Sequence, residues 1–138
     1  MSWSPPSSAE IAQLLRDAKT VAIVGISDKP ERASHTVAKY LQNHSHFDLY
    51  FVNPALDEVL GQKVYSNLSE ISAEIDIVDV FRKAEDCPSV LDAAIAIGAK
   101  AIWFQLGIFV PELATRANES GMRCVMDRCI KVDYEALL

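Results

Sequence analysis

The chain has 138 residues, half of them hydrophobic and 23% charged, with a formal net charge of −6. That length supports one domain with a sizeable core and predicts a single unit over 1–138, while the acidic balance argues against a general nucleic-acid binder. No apolar run approaches the roughly 20 residues of a bilayer span, and Met1-Ser-Trp-Ser-Pro-Pro lacks the segments of a signal peptide, so a cytoplasmic protein with no membrane partner is expected. Three cysteines, Cys87, Cys124 and Cys129, without a C-x-x-C pair, speak against a disulfide scaffold or a zinc site.

In chain order, Ser7 and Glu10 have capping-box spacing, and Ile11, Leu14, Leu15 and Ala18 follow at helical period. Residues 21–26 form a continuous apolar run, as in a parallel strand buried on both faces. Gly25 breaks it, a polar loop follows, and Val37, Tyr40, Leu41 and His44 give the next helical stripe, with Ser34 expected as its N-cap. Residues 49–52 read as a second strand ending at Asn53-Pro54. Residues 61–64 read as a turn and short extension, and 67–71 as one helical turn. A third strand is expected at 75–81. Cys87, Val90, Leu91, Ala94 and Ile95 mark a helix ending at Gly98. A fourth strand at 101–105, a helix opened by Pro111 and ended by Gly121, a short strand at 123–126 and a terminal helical turn at 133–138 complete the pattern.

Strands alternate with helices, which predicts an α/β fold: three layers around a five-stranded parallel sheet in order 3-2-1-4-5. The loops after the strands then share one edge of the sheet. They carry six basic residues, Lys29, Arg32, Arg82, Lys83, Arg128 and Lys131, interleaved with Asp28, Glu31, Asp86 and Asp127. A Gly turn followed by a helix N-terminus at the carboxyl end of the first strand is where such sheets hold phosphates. The expected switch point lies beside Gly25 and Gln105. The dinucleotide fingerprint is incomplete, because only Gly25 of its three glycines is present. Asn53 stands where a nicotinamide-dinucleotide site carries Asp or Glu for a ribose hydroxyl.

Arg32 is a candidate fork onto a phosphate, set against a solvated loop arginine, the commoner role of any single Arg. Cys129, next to Arg128, is either a thiol of lowered pKa or a small packing residue. Cys124, Trp103 and Phe104 read as core. His35, His44 and His46 lack metal-ligand spacing, and no acid/base pair or G-x-S-x-G elbow is present.

Seven segments, taken in order, resemble a known family: Val24-Gly-Ile-Ser27, Pro30-x-Arg32-x-Ser34, Val52-Asn-Pro54, Glu58-Val-Leu-Gly61, Asp79-Val-Phe-Arg82, Trp103-Phe-Gln-Leu-Gly107 and Met126-Asp-Arg-Cys129. Over about residues 8 to 135 the chain is similar to the small single-domain CoA-binding proteins and to the N-terminal Rossmann-like domain of the succinyl-CoA synthetase α subunit. The resemblance implies coenzyme A or an acyl-CoA lying across the carboxyl edge of the sheet. It implies phosphates by Gly25, Ser27, Arg32 and Ser34, Ile26 among the other binding residues, and an adenosine side lined by Val52, Asn53 and Pro54. Phe81 and Arg82 would close over the ligand, and Gln105 and Gly107 would face the thiol-bearing arm. The synthetase uses further domains and a phosphorylated histidine for which this chain has no room, so the expectation is a binding, carrier or sensor protein without its own catalysis. The alternatives are an NAD(P)-binding redox sensor or enzyme, and a CoA-thioester enzyme that needs a partner chain.

Overall fold

The computed structural model describes residues 3–138. It is an α/β fold with a mostly parallel sheet between two helical layers. The strands are β1 (Thr20–Val24), β2 (Asp48–Val52), β3 (Glu58–Val59), β4 (Gln62–Tyr65), β5 (Ile77–Val80), β6 (Ala101–Phe104) and β7 (Arg123–Val125). The helices are α1 (Ser8–Asp17), α2 (Ala33–His44), α3 (Cys87–Ala96), α4 (Pro111–Glu119) and α5 (Ile130–Leu137). The sheet runs β3-β4-β2-β1-β5-β6-β7, and every neighbouring pair is parallel except the β3–β4 hairpin.

The expected five-stranded sheet is therefore a seven-stranded mixed one. The six parallel strands run in a similar order, 3-2-1-4-5-6, but Gln62–Tyr65 takes the third place, and Ile77–Val80, expected beside the second strand, is the fourth and lies beside β1. Strands of two and four residues are too short to show a period of two. Their two-residue turn is Leu60-Gly61, both at positive φ (52° and 76°), the backbone of a type I′ hairpin. Leucine at its first position departs from Asn-Gly or Asp-Gly, so the sequence shows the turn and extension at 61–64 but not their pairing with Glu58–Val59.

The central strands β1, β5 and β6 are buried almost throughout, as both-face coverage demands. One face packs Ala22, Val24, Val78, Val80, Ile102 and Phe104 against α3 and α4. The other packs Val21, Ile23, Ile77 and Trp103 against α1, α2 and α5. α1 has the expected capping box: Ser7 N–H donates to the Glu10 carboxylate at 2.9 Å, and Glu10 N–H donates to Ser7 Oγ at 3.2 Å. The terminal helix starts earlier than 133, at Ile130, with Cys129 at its cap position. Upstream of α1, the Trp3 indole N–H donates to Cys124 O at 3.0 Å and its ring packs near Phe109, so this end of the chain seats on the β7 edge.

Candidate functional site

Moving outward from β1, the chain continues to β2 on one side and to β5 on the other. At this switch point the carboxyl ends of β1, β2, β5 and β6 open onto a cleft of about 820 Å³. Its lining brings together ten of the residues expected there: Gly25, Ile26, Ser27, Arg32, Ser34, Asn53, Phe81, Arg82, Gln105 and Gly107. Val52 and Pro54 fall outside it, Val52 because its side chain faces the core between the sheet and α3. Leu56, Leu106 and Ile108 complete the walls, and loop positions without periodicity gave no sign of them.

Gly25 has φ +90° and donates its N–H to Val52 O at 2.9 Å. A Cβ there would lie 2.3 Å from Phe81 O and 2.9 Å from Arg82 Cδ. The glycine thus allows the β5 end to close on the β1 end, which lays Arg82 over the turn. The expected switch-point neighbour of Gly25, Gln105, is one strand further out, because β5 lies between β1 and β6.

Ser34 is not the N-cap of α2. Arg32 holds that position with extended backbone and makes no side-chain capping bond. Ser34 lies inside the first turn, buried, and its Oγ accepts the Ser27 N–H at 3.0 Å, bracing the loop against the helix. The first turn of α2 carries no acidic residue, so the positive end of the helix dipole faces the cleft uncompensated by its own side chains. Among the described residues neither Arg32 nor Lys83 forms an ion pair, whereas Arg82 meets Asp86 at 3.4 Å. Four cations, Lys29, Arg32, Arg82 and Lys83, line the cleft against two acids, Asp28 and Asp86.

The other two basic residues of the expected edge are elsewhere. Arg128 is bound twice by Asp133, at 2.7 and 2.8 Å, which raises its pKa, and Lys131 lies over the Tyr40 ring. Asn53 is a brace. Its Nδ2 donates to Ile26 O at 2.7 Å and its Oδ1 accepts the Ala55 N–H at 2.8 Å, joining the β2 end to the β1 loop. The amide both donates and accepts here, which an ionised carboxylate cannot do, and that explains asparagine in place of aspartate. The Gly107 N–H donates to Asp127 at 2.8 Å, so the loop after β7 holds the loop after β6.

Asp79 stands out in the sequence only as part of the Asp79-Val-Phe-Arg82 motif. It is fully buried in β5, where Ile77-Val-Asp-Val reads as plain core. Burial pushes its carboxyl up to about 8, offset in part by a hydrogen bond from the Gln105 amide. Cys124 is core, as expected, and burial raises its thiol to about 12; Cys87 is raised to about 11. Cys129 is half-buried and lies outside the cleft lining. Among the described residues no group of three His, Cys, Asp or Glu side chains could hold a metal ion, and no helix is long and apolar enough to cross a membrane.

These features fit a ligand with several phosphates: a cationic loop, an uncompensated helix N-terminus and a glycine turn over which Arg82 is laid. The comparisons with known proteins point the same way. The Bacillus subtilis (strain 168) protein YneT is 42% identical over 129 residues, covering 94% of this chain and 95% of its own length. A solved structure from Pyrococcus horikoshii OT3 superposes with a TM-score of 0.91 at 36% identity, covering 99% of this chain and 98% of that one. The α subunit of an ADP-forming acetate–CoA ligase II from Pyrococcus furiosus is 25% identical over 122 residues, and the chain spans only 27% of its length. The family profile described as a CoA binding domain matches residues 19–135, and the chain belongs to that family.

Proposed function

We propose that the cleft binds coenzyme A or an acyl-CoA, and that the chain acts as a binding, carrier or sensor protein in the cytoplasm without its own catalysis. The observation that carries this reading is the meeting of Arg32, the open N-terminus of α2 and the Arg82-Lys83 loop around one cleft at the switch point, in a chain of the CoA binding domain family. Backbone N–H groups and guanidinium forks suit the pyrophosphate and the ribose 3′-phosphate. A volume of about 820 Å³ is within the ~300–1,000 Å³ usual for small-molecule sites. Leu106, Gly107 and Ile108 then flank the thiol-bearing arm.

Position 53 counts against a nicotinamide dinucleotide, since both ends of the Asn53 amide already hold backbone groups. Ligase chemistry is not proposed, because the chain matches about a quarter of the ligase subunit. Mass spectrometry of the natively purified protein tests the reading. A co-purified CoA species supports it; a co-purified nicotinamide dinucleotide in its place overturns it.

A further inference from the structure

Asp79 is an unusual residue for the centre of a sheet. Its register partners are Ile23 on β1 and Trp103 on β6, and it is 0% exposed. One carboxyl oxygen, Oδ1, accepts from Gln105 Nε2, while Oδ2 has no partner among the described residues. Nothing charged offsets it: burial and the Gln105 bond are the causes of its shift. Of the ionisable groups on α1, α2 and α5, which cover this face, only Asp133 is buried, and Arg128 already holds it; Cys129 is half-buried.

A buried anion with an unpaired oxygen is costly, so the neutral acid is the favoured form at neutral pH. A neutral acid must donate its proton, and the polar side chain in contact with it is Gln105. An amide is nearly isosteric about its terminal bond, so Gln105 can offer either end. Gln105 also lines the cleft.

We propose that Asp79 is a positioning residue that decides which end of the Gln105 amide meets the ligand. When protonated, it donates to Gln105 Oε1 and turns the Nε2 N–H groups toward a carbonyl oxygen on the ligand's thiol-bearing arm, a pantetheine amide or thioester. When ionised, it accepts one Nε2 N–H as in the structure, which turns the amide oxygen toward the ligand and leaves at most the second N–H beside it. The ligand half of this proposal rests on the CoA reading; the Asp79–Gln105 coupling does not.

The test is a pH titration of the Gln105 side-chain amide by NMR in the ligand-free protein, wild type against Asp79→Asn, with CoA affinity measured alongside. Asparagine keeps the donor-and-acceptor character of the neutral acid. The wild-type Gln105 resonances should move with a midpoint near 8, and those of Asp79→Asn should stay fixed. Relative to Asp79→Asn, wild-type CoA affinity should fall about three- to tenfold between roughly pH 7 and pH 9, the worth of one hydrogen bond. Wild-type resonances that do not titrate, or parallel affinity profiles for the two proteins, overturn the proposal. If the resonances titrate but CoA does not bind at any pH, the coupling stands and the CoA reading falls. Should Asp79→Asn not fold, infrared difference spectra of the wild type decide: a protonated-carboxyl stretch lost between about pH 7 and 9 supports the coupling, and its absence at pH 7 overturns it.

Discussion

Replacing Gly25 by alanine tests the physical basis of the cleft. The new Cβ would sit 2.3 Å from Phe81 O, a backbone atom that cannot swing aside as a side chain does. The residue would also keep a φ of +90°, outside the range that L-residues favour. Backbone strain of that kind costs about 1–3 kcal/mol. Overpacking in a tight site adds about 1–3 kcal/mol. The sum, about 2–6 kcal/mol, is a large share of the roughly 5–15 kcal/mol that holds a domain together. At about 4 °C per kcal/mol the melting temperature should fall by about 8 °C or more. Gly121→Ala is the control, because Gly121 has a similar φ of +81° with nothing within 4 Å of an added Cβ. Urea and thermal melts of the two variants separate the steric part from the conformational part. If Gly25→Ala loses less than about 1 kcal/mol, or no more than Gly121→Ala, the close approach of β5 to β1 is not what requires glycine.

Arg32→Ala should weaken CoA binding by about tenfold or more, the value of a charge-assisted hydrogen bond, with a smaller loss at high salt and an unchanged melting curve; titrations at two ionic strengths check this. Asn53→Asp should destabilise by about 1–3 kcal/mol in urea melts, because a carboxylate cannot donate to Ile26 O. Asp79 should impose a pH slope on stability. Below its ordinary value of 3.8 the carboxyl is protonated folded and unfolded, and costs nothing on this account. As pH rises from about 3.8 to about 8, the unfolded chain releases a proton that the folded chain keeps. Stability then falls by about 1.4 kcal/mol per unit, levelling out above that range. The stability difference between Asp79→Asn and wild type, from urea melts across that range, should therefore grow with pH; a flat difference would show that Asp79 is not held neutral.

Much of the architecture was legible because apolar runs and helical stripes are long where both faces are covered, as at β1, β5, β6, α1 and α3. Of the β3–β4 hairpin only a turn and short extension at 61–64 was legible, since its strands are short and its turn uses Leu60. The loops forming the cleft could be read as a set, because topology alone brings the carboxyl ends of parallel strands to one edge. The tasks of single residues in those loops depend on contacts distant in sequence. Ser34 has the chemistry of a cap, yet it accepts from Ser27 while the backbone of Arg32 begins the helix. Arg128 looks like a ligand-binding cation until Asp133 is found beside it. Asp79 offers one polar letter in an apolar run, and only its burial and its unpaired oxygen mark it out.

Calorimetric titration of the purified protein with CoA and, separately, with NAD near neutral pH tests the central claim most directly. Saturable CoA binding at one site per chain is expected, with NAD binding far weaker and Arg32→Ala reducing the CoA signal. No measurable CoA binding, or an affinity for NAD equal to or above that for CoA, would contradict it.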